Sequence, residues 1–207
     1  ASLFGINYLT AMIVSAVVIV GYTSLGGFLA ASTTDLIQSI VMSIALVTVV
    51  TYGINSAGGF AAVMDNARAL PGYLSLNNTF DAANNASNSF SFISIVSTLA
   101  WGIGYFGMPH ILVRFMAIED EKKLTFSRRI ASVWVVIAMT VGIFIGVVGL
   151  AMTKAGSLEN LADSETVIVR ITGLISRHGV IAALIAGVIL AGILAATMST
   201  SDSQLLT

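Results

Sequence analysis

The 207-residue chain contains no cysteine, which excludes a disulfide framework, a thiolate metal site and a thiol nucleophile. Its two histidines, His110 and His178, are too few for a histidine-built metal cluster. Charge is scarce: 9 Lys and Arg against 10 Asp and Glu make up 9% of the residues, where an ordinary soluble domain carries roughly 25%. With a net charge of −1 and no basic stripe interleaved with aromatics, nothing is offered to nucleic acid. A Gly-rich phosphate loop, a nucleophile–base pair and a catalytic carboxylate pair are all missing, so the chain does not read as an enzyme. Glu119, Asp120 and Glu121 stand beside Lys122 and Lys123, the pattern of a solvated charge run. The start at Ala1 has neither an initiator Met nor a charged region and does not read as a signal peptide. The end at Thr207 carries no polar tail, and both termini read as cuts in a longer protein.

What is present is apolar. Hydrophobic residues make up 57% of the chain and the mean hydropathy is +0.95. A water-soluble fold of this length leaves roughly 30% of its surface facing solvent, too much to hide such a composition. The bilayer is the natural solvent, and the expected architecture is one all-α, multi-pass transmembrane domain over 1–207 in the cell membrane. A span needs about 20 mostly apolar residues. Five segments qualify: 4–20, 34–52, 90–116, 130–152 and 179–203. The third is interrupted by Gly102, Gly104, Gly107 and Pro109. The fifth is rich in small residues (Gly187, Ala191, Gly192, Ala195, Ala196) that let helix backbones approach closely.

The connections set an orientation. Residues 117–129 hold Lys122, Lys123, Arg128 and Arg129, with Arg114 just before them, and the positive-inside rule makes this the cytoplasmic loop. Alternation then places 53–89 and 153–178 outside and 21–33, a tight uncharged Gly-Gly turn, inside. The apolar spacing of Leu158, Leu161, Val167, Ile168, Ile171 and Ile175 predicts a surface helix in the last external loop.

Three places stand out against this background. Asp35 is an acid at the entry of a spanning helix, where charge is expensive and marks an ion or proton pathway; a first-turn carboxylate favoured by the helix dipole is the plainer reading. In 101–112, three glycines and Pro109 preclude a good continuous helix, and broken helices in secondary transporters point to the solute site. Trp101 and Tyr105 lie four apart on one face there; a simple proline kink with interfacial aromatics is the alternative. Finally, Ser199, Thr200, Ser201, Asp202 and Ser203 form an unbroken run of hard oxygen ligands at a helix end, suited to hard cations. Ala196, Ser199, Thr200 and Ser203 share one face at three- and four-residue spacing. The same run would also serve as hydroxyl glue between helices.

In these stretches, namely Tyr22 to Ala30 with Thr34, Asp35 and Gln38, then Trp101 to Met116, then Leu194 to Leu206, the chain resembles the solute:sodium symporter family. The run from Gly104 to Met116 is similar to the family's proline branch, with Met108 where some proline carriers have Gln. The resemblance implies an inverted-repeat (5+5) fold, this chain supplying the last two helices of the first repeat and the first three of the second. It also implies a principal sodium site using the Ala196 carbonyl and the Ser199 and Thr200 hydroxyls. A second sodium position at Asp35, Asp202 and Ser203 would follow, as would contact of L-proline with Trp101, Tyr105 and Pro109. The implied partners are L-proline, the coupling sodium ion and the lipid bilayer. The rivals are a relative carrying another small solute, a symporter-like sensor fused to a histidine kinase, and a passive channel.

Overall fold

The computed structural model describes residues 7–81, 84–105 and 107–207, and it is mostly helical. Seven α-helices follow in order: α1 (Tyr8–Ser56), α2 (Phe60–Arg68), α3 (Phe92–Tyr105), α4 (Pro109–Met116), α5 (Glu121–Lys154), α6 (Val167–Ile175) and α7 (Val180–Leu205). Between α2 and α3 a small antiparallel hairpin pairs β1 (Asn78–Asp81) with β2 (Ala86–Ser89). Among the described residues, α1, α5 and α7 are each long and apolar enough to cross a membrane, and α3 with α4 qualifies as one broken span.

The first correction concerns 21–33, expected as a turn between two helices. The helical backbone continues from residue 8 to 56, and only Gly27, at φ 57° and ψ −151°, leaves helical geometry. At ~1.5 Å per residue a straight helix of this length would run ~73 Å, over twice the roughly 30 Å of hydrocarbon. The single break therefore divides α1 into two arms, 8–26 and 28–56. Two adjacent glycines make the break possible for different reasons. The backbone angles of Gly27 are essentially closed to other residues, while a Cβ on Gly26 would stand 2.2 Å from the Ala30 Cβ.

The basic stretch 117–129 is also not a loop throughout. Asp120 caps α5 by accepting from the Lys122 backbone N–H at 2.9 Å, so Lys122, Lys123, Arg128 and Arg129 all lie on its first turns. A carboxylate at this end satisfies an orphan amide and faces the positive end of the dipole.

Packing concentrates at one end. Val49, Val63, Ile145, Val148, Met152, Ile171 and Ile175 are all buried and join α1, α2, α5 and α6. Close approach there depends on Gly53, where an added Cβ would meet Val148 Cγ1 at 2.4 Å, and on Gly149, where it would meet Val167 Cγ2 at 2.5 Å. The helix expected between 153 and 178 is α6, and its Ile171 and Ile175 turn into this core. Helix α7 lies along α1, its Gly192 facing Val41 and Ala45. In the hairpin region Tyr73 packs edge-on against Phe80 at 5.7 Å, and burial pushes its phenol above the ordinary range.

Along the spans, hydroxyls return to the backbone. Thr48, Thr51 and Thr140 each donate to the carbonyl four residues earlier at 2.7–2.8 Å. With no water in hydrocarbon, this is the nearest acceptor available to them.

Candidate cation and solute sites

The break at Gly27 brings the start of the second arm, the end of the first and the end of α7 together. On α7, Asp202 is fully buried, and Tyr22 on the first arm donates its hydroxyl to Asp202 Oδ2 at 2.7 Å. Ser203, also buried, donates to the Ser199 carbonyl at 2.7 Å and lies 3.4 Å from Asp202 Oδ1. From α4, Arg114 reaches into the same cluster, and its Nη2 donates both to Asp35 Oδ2 and to Ser203 Oγ. Asp35 Oδ1 and, one turn on, Gln38 Oε1 are buried without a hydrogen-bond partner. Buried polar oxygens in a span are costly unless something satisfies them.

The three residues expected at a second sodium position, Asp35, Asp202 and Ser203, are thus neighbours in space although 168 positions apart in sequence at their widest. One α7 turn earlier lie the residues of the expected principal site. Thr200 Oγ1 donates to the Ala196 carbonyl at 3.2 Å, the same four-residue back-bond that other hydroxyls of the spans make, and Ser199 is half-buried beside them. The donor set is all oxygen, hydroxyl and carbonyl, which fits a small hard cation. Among the described residues no group of three His, Cys, Asp or Glu side chains is placed to hold a metal ion.

The broken helix carries a separate aromatic row. Trp101 and Tyr105 stack at 5.8 Å between ring centroids, tilted by 38°, and His110 meets Tyr105 edge-on at 6.4 Å. The backbone between them turns through Gly107 N–H to Gly104 carbonyl and Met108 N–H to Tyr105 carbonyl bonds. Pro109 then starts α4, where its missing N–H costs nothing, and the two helices meet at 42°. Trp101 is 77% exposed, and no residue of α3 or α4 is buried. Trp101 and Tyr105 therefore lead into the break and Pro109 leads out of it, all three exposed among the described residues.

Two members of the polar cluster escaped the reading of the sequence. Arg114 counted there only as a base just ahead of the cytoplasmic loop and as part of the Gly104–Met116 run, although its place inside the apolar segment 90–116 was itself a signal, since a charge at that depth needs a partner. Tyr22 was read only as part of a glycine motif, and no spacing rule links it to a residue 180 positions away.

Apolar helices that enclose two carboxylates and neighbouring hydroxyls, with one span broken at glycine and proline beside an aromatic row, define a class: multi-pass membrane proteins with polar groups set inside the bundle. The chain matches the model of the sodium:solute symporter family over residues 1–207, and it belongs to that family. It is 36% identical over 205 residues to the sodium/proline symporter of Staphylococcus aureus, a match covering 99% of this chain and 37% of that protein. The sodium/proline symporters of S. aureus strains JH9 and Newman match to the same extent. The chain spans about 37% of the length of these curated relatives. No solved structure matches.

Proposed function

We propose that this chain is the central part of a sodium-coupled symporter that takes up L-proline. The reading is supported above all by the likeness to sodium/proline symporters along nearly the whole chain, together with an α7 end that gathers hard oxygen ligands beside Asp35. In this reading α1 contributes two crossings and α3–α4, α5 and α7 one each, five helices of an inverted-repeat (5+5) fold. Ala196, Ser199 and Thr200 hold the principal sodium ion, and Asp35, Asp202 and Ser203 form a second position nearer the cytoplasm. Trp101, Tyr105 and Pro109 contact proline. The aromatic faces suit the methylenes of a compact pyrrolidine ring, and backbone groups freed by the break suit its ring ammonium and its carboxylate. Sodium binding secures α7 against the remaining core helices and favours the outward-open form. Proline joins on the broken helix, and both leave inward as the bundle rocks. The membrane potential adds about 2.3 kcal/mol per charge per 100 mV.

The full-length protein in sealed vesicles is expected to take up labelled proline when sodium is outside and to stop when potassium replaces it. Uptake that persists unchanged in potassium would refute sodium coupling, and stronger uptake of another amino acid in a competition panel would reassign the solute.

The orientation has its own test. The outer loop carries two Asn-x-Ser/Thr acceptors, Asn77-Asn78-Thr79 and Asn85-Ala86-Ser87, with Asn77 and Asn85 both exposed. If 53–89 faces outside, full-length chain inserted into mammalian microsomes places these acceptors in the lumen, where they gain glycans. The expected result is a gel shift reversed by endoglycosidase and lost in the double variant Asn77→Gln, Asn85→Gln. An unglycosylated product alongside glycosylation of an acceptor inserted in 117–129 would invert the topology.

A further inference from the structure

We propose that the Arg114 guanidinium and a sodium ion are alternative occupants of the oxygen cluster between Asp35 and Ser203, so that arrival of sodium frees α4. The proposal rests on the sodium reading above and adds to it a tethered cation that sodium must displace.

The first observation is the identity of Arg114's partners. Its Nη2 donates to Asp35 Oδ2 and to Ser203 Oγ, two of the three residues assigned to the second sodium position. A chain-borne cation therefore sits where a free one would bind. Two positive charges within hydrogen-bonding reach of one carboxylate oxygen repel each other strongly where little water intervenes, so the two occupants exclude each other.

The second observation is that the cluster has room to begin the exchange. Asp35 Oδ1 and Gln38 Oε1 are buried and unpartnered, and they lie three residues apart on one helical face. Sodium gains its first oxygens there before Oδ2 is released. The displaced guanidinium has somewhere to go, because the Arg114 side chain is 43% exposed while that of Asp35 is 12% exposed. Guanidinium is also weakly hydrated and accepts a partly wet setting at small cost.

The third observation is what the exchange would move. No residue of α4 is buried, and its packing on the rest of the described chain runs mainly through α7. Val113 and Arg114 there face Phe28, Ala31 and Leu206. Removing the two bonds of Arg114 takes away the polar tie that holds this face closed. Because Pro109 opens the same helix, ion occupancy reaches the aromatic row through one short rigid rod. Arg114 is thus a positioning residue, acting on the solute through α4.

The test reads α4 directly and leaves Arg114 in place. Val113→Cys is introduced into the full-length protein, on a background without other reactive cysteines, and labelled with a water-soluble maleimide in detergent without proline. Labelling is expected to run about tenfold faster in sodium than in potassium at equal ionic strength, within the range usual for coupled sites. In Asp35→Asn it should be fast in both salts. Slow labelling that ignores sodium, in protein that still binds radioactive sodium, overturns the exchange. Absence of sodium binding in the parent protein would overturn the sodium reading itself. As a second measurement, Arg114→Gln should bind radioactive sodium at lower concentration than the parent, and Arg114→Lys should bind it much as the parent does. An unchanged or weakened sodium affinity in Arg114→Gln also overturns the proposal.

Discussion

Gly27→Ala in the full-length protein is expected to cost it both thermal stability and uptake, whereas Gly21→Ala, six positions earlier, should cost neither. The contrast isolates backbone conformation. A Cβ at either position would meet nothing within 4 Å, so crowding plays no part. Gly21 lies within regular helix, and alanine there gains up to about 1 kcal/mol of helix propensity. Gly27 sits at φ 57° and ψ −151°, a region used essentially by glycine, and a side chain there costs of order 1–3 kcal/mol. The cheapest relief is to let residue 27 become helical. That would swing the first arm off α7, break the 2.7 Å hydrogen bond from Tyr22 to Asp202 and leave a buried carboxylate without its donor. Melting temperature and proline uptake measured together decide the matter: a Gly27→Ala protein as stable and active as Gly21→Ala would show that the break has no structural role.

The second large effect concerns the ion. Ser199→Ala is expected to raise the sodium concentration for half-maximal uptake roughly 10- to 100-fold, since a hydrogen-bonding or ligating group on a charge is worth about 1.5–3 kcal/mol and each 1.4 kcal/mol is tenfold. At saturating sodium the apparent affinity for proline should be nearly unchanged, because no proline contact is removed. Thr200→Ser keeps the oxygen that bonds the Ala196 carbonyl and should be mild, while Thr200→Ala should resemble Ser199→Ala. Initial-rate uptake at varied sodium separates these cases. A Ser199→Ala protein with full activity and unaltered sodium dependence would remove α7 from the coupling site.

Composition and hydropathy made the membrane class legible at once, because so apolar a chain has no aqueous solution. The break at Pro109 was legible for a similar reason: three glycines and a proline leave the helical backbone few options. The continuity of α1 through 21–33 was not. A Gly-Gly pair reads as a turn, and nothing local distinguishes a loop from one glycine-dependent kink flanked by unbroken helix. The helical start of α5 was masked likewise, since positive charge in 117–129 signals a membrane side and is silent on backbone conformation. Of the polar cluster, Asp35 and the 199–203 run stood out by cost or by density. Tyr22 and Arg114 did not, because their partners lie 180 and, for Asp35, 79 positions away, and hydrogen bonds at that range are properties of the fold.

The uneven packing of the bundle has a mechanical consequence. At one end α1, α2, α5 and α6 are riveted by aliphatic side chains such as Val148, Met152 and Ile171, each with essentially no exposure, and such interdigitated cores resist shear. At the other end the first arm, α4 and α7 are tied by a few polar contacts, Tyr22 to Asp202 and Arg114 to Asp35 and Ser203. The arrangement is that of a clothes-peg, with its spring at the aliphatic end and its jaws at the Tyr22–Asp202 and Asp35–Arg114 contacts.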